Sequence, residues 1–451
     1  MKVYPTPIEV GDTEGFSPGK DLFNRAELGA GLTNLVTVVE DPMVIAFDGA
    51  WGSGKSTFLR MWAGELRKAK FPVIVFDAFE NDYVDDAFAA LAREIVELSE
   101  QSKTAGSQLA ENVKDRAVEL GSMLLRSAGK IAINVGVRAA TAGLVSGKDL
   151  ADVASDVEDE AAEIADKYME DLLSRPAEQK LTVQRFREAL SSLPSALQEV
   201  GATSKPLIFI IDELDRCKPI FALSVLERIK HFMSVPNVHF VLGVHLRQLE
   251  ASVRAVYGSD INAPAYLEKF INLTVSNVDT AERAESRQLK VYGEHLRRAL
   301  AIPLDDDSPL PRATATLVRV LEQRGAGFRT MERAFTVLAL AIAFTPTNYV
   351  RYGVLVGGLI ALKLFEPKLF TKAKAGTLSL SEALSGLGIA DDHQLDRHGQ
   401  HEAELWTFCL AEVVPAEIES RFSEYSWHLT DAAERRGLIT HTANQIVDRL
   451  R

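Results

Sequence analysis

The chain has 451 residues, 47% hydrophobic and 25% charged, the proportions of a soluble globular protein with room for two or three domains. A net charge of −13 argues against general attraction to nucleic acid or an anionic membrane, although a local basic groove stays open. The two cysteines, Cys217 and Cys409, have no paired spacing, which argues for reducing, cytoplasmic surroundings and against a disulfide framework or a zinc site.

Residues 1–19 read as an extended arm, with Pro, Glu and Asp but no apolar core of the kind a signal peptide needs. No run of about 20 apolar residues follows, so no integral membrane segment is expected. Asp21 to Val39 carries apolar residues at helical spacing. Arg25 at its start is either a neighbour of the site described next or a surface arginine.

Met43 to Phe47 is a short apolar strand, and Phe58 to Trp62 opens a helix. Between them stands Gly49-Ala50-Trp51-Gly52-Ser53-Gly54-Lys55-Ser56-Thr57, the phosphate-loop pattern G-x-x-x-x-G-K-[ST] in its required strand–loop–helix setting. Gly49, Gly52 and Gly54 permit a tight turn whose N–H groups point inward, together with Trp51, Ser53 and Thr57 on the same loop. The helix start adds the positive end of its dipole. Lys55 reaches β- and γ-phosphates, and the Ser56 hydroxyl is a Mg²⁺ ligand.

Pro72 to Phe76 is a second buried strand, ending in Asp77-Ala78-Phe79-Glu80. Glu80 is either a carboxylate facing the ligand crevice or a loop acid that caps the next helix. Residues 101–180 then break the alternation. Met123 to Val145 is rich in Ala, Gly, Val and Ile but is interrupted by Lys130 and Arg138. An acidic helix follows, Asp152 to Asp171. The segment reads as a helical insertion, packed on itself or a partner, with membrane-surface association as the alternative.

The sheet resumes at Leu207 to Ile211, wholly apolar as a buried parallel strand should be. It ends in Asp212-Glu213-Leu214-Asp215-Arg216-Cys217. Downstream of a phosphate loop, Asp212 is placed to hold Mg²⁺ and Glu213 to polarise an attacking water. A helix, Phe221 to Met233, leads to the strand Val238 to Val244. His245 follows it, as a polar sensor beside the γ-phosphate or as a capping or surface histidine. Tyr266 to Val275 runs from a helix end into a last strand. From Thr280 the chain is helical, with Arg329 in the first turn of a helix, a hydrophobic helix Tyr349 to Phe365 broken by Gly353, Gly357 and Gly358, a hinge-like stretch Leu369 to Ser385, and a small polar helical tail.

Several of these stretches, in this order, resemble the KAP family of P-loop NTPases, relatives of the STAND and AAA+ ATPases. They are Asp21 with Arg25, the tryptophan within Gly49–Ser56, Phe76-Asp77-Ala78-Phe79, Ile211 to Cys217, Tyr266-Leu267-Glu268-Lys269, Phe328-Arg329 and Glu366 to Phe370. The resemblance covers about residues 20–370. It implies an α/β fold: a three-layer P-loop domain with a parallel sheet, a helical insertion between the Walker A and Walker B motifs, and a C-terminal helical lid and tail. The expected divisions are 1–100 for the arm and first part of the core, 101–180 for the insertion, 181–280 for the second part of the core, 281–370 for the lid and 371–451 for the tail.

Implied too are ATP with Mg²⁺ as cofactors and ATP hydrolysis. Lys55, Glu213 and Arg329 are the catalytic group, Gly49, Trp51, Gly52, Ser53, Gly54, Lys55, Ser56 and Thr57 the nucleotide-binding group, and Ser56 and Asp212 the metal ligands. Arg329 matches a sensor-like arginine that touches the γ-phosphate from the lid. Arg216 is either an arginine finger acting in trans or an ion-pair partner of Asp215. The family often carries transmembrane helices in its insertion; this chain has the insertion at that place but no convincing span, so membrane anchoring is not expected. The chain also departs from the family at His245, where an aspartate is usual, and at Glu213, where a second aspartate is frequent. Bacterial relatives point to a nucleotide-driven oligomeric switch in anti-phage defence, working with a partner effector. A non-catalytic, nucleotide-gated scaffold and a nucleic-acid-stimulated ATPase are the alternatives. The latter would need residues such as Arg185, Arg187, Lys205, Arg228 and Lys230 to share a face.

Overall fold

The structure is a computed structural model. It describes residues 8–83, 205–276 without 231, 282–300, 310–345, 352–389, 395–422 and 431–448, with isolated positions between 91 and 195. The expected insertion at 101–180 lies outside the described residues.

Four short apolar runs form strands β1 (Val44–Asp48), β2 (Val73–Asp77), β3 (Leu207–Asp212) and β4 (Val238–Val244), and the half-polar, mostly exposed Leu273–Ser276 forms β5. They pair in the order β2-β3-β4-β1-β5, every pair parallel. Alternate residues of each strand face opposite sides, as the pleat dictates. Ile45, Phe47, Ile208, Ile210 and Val241 pack with helices α1 (Ala26–Val38) and α2 (Lys55–Lys68). Val44, Ala46, Phe209, Ile211 and Leu242 pack with α3 (Pro219–Ile229), α4 (Leu246–Tyr257) and α5 (Ala263–Leu267). The three layers agree with the fold expected from the sequence.

The arm before α1 is not free. Phe16 packs on Phe58 with ring centroids 5.4 Å apart, its backbone N–H donates to Glu65, and Arg67 donates to the Asp12 carbonyl at 2.8 Å. Asp21 caps α1, its two carboxylate oxygens accepting from the N–H groups of Arg25 and Ala26 at 2.9 and 3.0 Å. This satisfies donors that a helix start leaves unpaired.

Beyond the sheet run α6 (Glu282–Ala299), α7 (Leu310–Gln323), α8 (Phe328–Phe344), α9 (Gly353–Phe365), α10 (Pro367–Ala375), α11 (Leu380–Gly386), α12 (Arg397–Leu410), α13 (Ala416–Phe422) and α14 (Ala432–Thr442), closed by a π-helical turn Ala443–Val447. A single apolar core spans this region from Leu289 to Val447. Three expectations change here. The glycines do not break α9, which is continuous. Gly357 and Gly358 are instead where it meets its neighbours: a Cβ on Gly357 would lie 2.6 Å from the Ala313 carbonyl oxygen, and one on Gly358 2.8 Å from Trp406. The stretch 369–385 is no hinge but the helices α10 and α11, the latter started by a capping box of Ser379 and Glu382. Finally, the division at residue 370 falls inside the core. Trp406 and Cys409 are wholly buried against the lid helices, so the tail is an integral layer of the lid. Among the described residues no helix is long and apolar enough to cross a membrane.

Candidate nucleotide site

In-register pairing sets Asp77 beside Asp212, and Asp212 beside Gly243, at the carboxyl edge of the sheet. The phosphate loop leaves β1 at this edge. Gly49 is anchored, its N–H donating to the Val244 carbonyl at 3.1 Å. Gly52 and Gly54 then take φ of 77° and 81°, which only glycine adopts without strain. Gly54 caps α2, so Lys55, Ser56 and Thr57 form the first turn, at the positive end of a 14-residue helix.

Lys55 is 7% exposed and donates to the carbonyl oxygens of its own loop, Gly49 and Ala50. Burial lowers its pKa, against the pull of nearby Asp215 and Asp212. A buried ammonium held by loop carbonyls, beneath a helix start, is a fitting cradle for phosphate. The Ser56 hydroxyl donates to Glu213 at 3.4 Å and also eases the charge on Asp212. Burial pushes the Asp212 carboxyl up to about 6, with the charges of Glu213 and Asp77 adding to the rise and the hydrogen bonds from Ser56 and the Glu213 N–H opposing it. A carboxylate so placed, touching a hydroxyl, suits a divalent cation. A Cβ on Gly243 would sit 2.4 Å from the Asp212 carboxylate, so this glycine keeps the place that the acid occupies.

Glu213 adopts a left-handed conformation, φ 58°, and the short 3-10 turn Leu214–Arg216 returns the chain over it. Arg216 pairs with Glu213 at 2.6 Å, not with Asp215. Asp215 instead accepts from the indole of Trp51, whose ring meets His245 edge-on at 6.2 Å. His245 is the residue before α4, and its carbonyl accepts from Gln248 at 2.9 Å. Its ring faces Trp51. Glu80 is exposed, with its N–H bonded to Asp77 at 3.0 Å, which favours the turn reading over the crevice one.

A cleft of about 380 Å³ opens between sheet and lid. Gly52, Gly54, Lys55, Ser56 and Thr57 line it from the loop, Glu213 and Arg216 from the end of β3, and Arg329 from the lid. Gly49, Trp51, Ser53 and Asp212 do not line it; Asp212 is buried, and Trp51 lines a neighbouring hollow that it shares with Arg329. Arg329 packs directly on the loop: a Cβ on Gly52 would lie 3.1 Å from its Cγ. Arg25, 7% exposed, is a neighbour of the site, donating to the Ser53 carbonyl at 3.3 Å and to Gln288 of α6 at 3.5 Å.

The sequence reading missed the far end of the cleft. Phe23 stacks on Phe328 at 4.9 Å, and Tyr292 tilts against Phe328 at 4.7 Å. All three line the cleft with Leu22, Met61 and His295. The arm, α2 and the lid each supply part of this wall, so no local pattern announces it. Of the basic residues that the nucleic-acid alternative would need on one face, Arg187 donates to Ser234 at 2.6 Å and Lys205 lies over Phe71 at 4.7 Å, while Arg185 lies outside the described residues.

No curated protein matches the chain by sequence. Among solved structures it is similar to the Walker-type ATPase paby2304 of Pyrococcus abyssi, with 14% identity, a TM-score of 0.31, and 95% of this chain and 99% of that chain covered. It is also similar to the ORC2 protein of Aeropyrum pernix, solved as ADPNP–ADP complexes, with 13% identity, a TM-score of 0.34 and 96% of each chain covered. A third is AMPPCP-bound DnaA from Aquifex aeolicus, with 12% identity, a TM-score of 0.27, and 98% and 99% covered. The P-loop domain of the KAP family matches residues 30–292, more than half of the chain and every strand of the sheet, and the protein belongs to that family.

Proposed function

We propose that the protein binds and hydrolyses Mg-ATP in the cleft between sheet and lid and uses the cycle as a switch. One observation carries this reading: the loop lysine, the acid after β3 and a lid arginine, from three separate parts of the chain, line a single cleft. Lys55 and the N–H groups of the first turn of α2 bind the phosphates. Ser56 and Asp212 hold the cation, which supplies charge neutralisation on the transferring group. Glu213 accepts the proton of the attacking water, and Arg329 draws the lid onto the γ-phosphate. The aromatic wall of Phe23, Tyr292 and Phe328 takes the base, because stacking tolerates any purine face. Arg25, bonded to loop and lid at once, couples closure to the loop.

ATP turnover of the wild type beside Lys55→Ala and Glu213→Gln, with the mass in solution recorded for each, tests this. Loss of turnover in both variants, with an oligomer trapped by Glu213→Gln under ATP, is the expected result. Turnover undiminished in Glu213→Gln contradicts it. A second reading, a gated scaffold with little turnover, is favoured by the turning of His245 toward Trp51 rather than the cleft. It predicts tight Mg-ATP binding, lost in Lys55→Ala, without hydrolysis. A role in anti-phage defence with a partner effector rests on family resemblance. It predicts that Lys55→Ala abolishes protection in a plaque assay.

A further inference from the structure

Arg216 has a place that neither a finger acting in trans nor a surface arginine explains. The left-handed turn at Glu213 folds it back, so that its Nη1 meets Glu213 Oε1 at 2.6 Å, with the two side chains 24% and 16% exposed. The same oxygen accepts the Ser56 hydroxyl at 3.4 Å. Arg216 also stands in the wall between two cavities. One is the nucleotide cleft, and the other is a hollow of about 500 Å³ lined by Trp51, Phe79, Pro219 and Arg329. Its guanidinium is therefore turned inward, toward the carboxylate proposed to activate water.

We propose that Arg216 reads the terminal phosphate within its own chain, by exchanging one anionic partner for another. This rests on the nucleotide reading of the cleft. Without a γ-phosphate, Arg216 holds Glu213 against Ser56, so the acid is unavailable as a base and the serine is not free for a cation. With a triphosphate in the cleft, Arg216 turns to the γ-phosphate, which offers more charge and three oxygens to a planar fork. Glu213 is then released to the water. After hydrolysis Arg216 returns to Glu213. The exchange gives the protein a means of telling ATP from ADP, since only a ligand with a γ-phosphate has a differential interaction with the two arrangements.

The two halves of this ion pair should act in opposite directions. Arg216→Ala removes a contact to the γ-phosphate and weakens binding of a triphosphate. Glu213→Gln removes the competitor for Arg216 and tightens it. Affinity for ADP is measured beside it as the reference, and the readout is the ratio of the two affinities. The test is titration calorimetry of the full chain with Mg²⁺ and either ADP or β,γ-imido-ATP. The expected result is a fall of about fivefold or more in the preference for the triphosphate analogue in Arg216→Ala, with partial recovery in Arg216→Lys, and a rise of similar size in Glu213→Gln. In the Arg216→Ala background Glu213→Gln should have no effect. That cycle separates partner exchange from simple relief of repulsion between carboxylate and phosphate, which would persist in the double variant. An unchanged preference in Arg216→Ala, variants that move it the same way, or a Glu213→Gln effect that survives without Arg216 overturns the inference while leaving the nucleotide site standing. If the wild type binds neither ligand, or Lys55→Ala binds both as well, the reading of the cleft itself falls and this inference with it.

Discussion

Asp212 shows how a single residue can trade stability for a site. Its carboxyl is raised from 3.8 to about 6 by burial, so without a cation the charged form is held at a cost. A raised acid binds its proton more tightly folded than unfolded, and stability therefore falls as pH rises between about 4 and 6. The whole difference is worth roughly 3 kcal/mol at most. Asp212→Asn should thus be more stable than the wild type at pH 7.5 in the presence of a chelator, with the advantage vanishing at pH 4. Thermal unfolding at the two pH values measures it. The same variant should gain nothing from Mg²⁺ with ATP. Residues of this kind were legible in sequence because each is tied to a strand end or loop by a spacing rule. Lys55, Ser56, Asp212 and Glu213 follow such rules. The partner of Arg216 did not, because the choice between Asp215 and Glu213 turns on a left-handed backbone at Glu213, a non-glycine residue that no propensity marks.

At the scale of elements, four buried strands announced themselves as apolar runs and lie where those runs placed them, while the exposed edge strand β5 was marked only as the end of the stretch Tyr266 to Val275. The lid was less legible. Its glycines read as breaks, whereas Gly357 is a contact surface, with the backbone of Ala313 in α7 only 2.6 Å from the position of a Cβ. Gly357→Ala should therefore destabilise by about 1–3 kcal/mol, although alanine favours a helix, because rigid backbone has to move aside. Denaturant unfolding gives the sign directly. A second element-level link joins α7 to α12. Glu402 is wholly buried, accepts from Arg319 Nε at 2.8 Å, and has His398 Nε2 at 2.8 Å. Arg319→Ala takes the guanidinium from that buried carboxylate, which keeps His398 beside it, and should cost up to about 3 kcal/mol. Replacing Arg319 and Glu402 together by apolar residues should cost less, since no unpaired charge remains.

On the scale of the whole molecule, the order β2-β3-β4-β1-β5 leaves β2 at an edge, beside β3. The connection from Asp77 to Leu207 runs 129 residues (206 − 77), where a parallel crossover needs roughly a dozen. A surplus attached at an edge adds little closure entropy, because that cost grows only with the logarithm of length. Deleting residues 101–180 should leave nucleotide affinity intact and abolish self-association or partner binding. Loss of nucleotide binding as well makes the segment part of the core instead. The plan of sheet and lid was readable from the order of motifs. The union of lid and tail was not, because the residues that join them, Trp406 and Cys409 among them, sit on helices whose pattern looks merely amphipathic. One consequence concerns light rather than chemistry. Two of the four tryptophans, Trp62 and Trp406, are sealed in apolar cores, while Trp51 is 45% exposed and joins the phosphate loop to Asp215. Its emission should respond to solvent, to Asp215 and to the His245 ring beside it. The protein thus carries a fluorophore at the point where its proposed chemistry begins, and stopped-flow records of the Trp51→Phe difference would time the loop without any added dye.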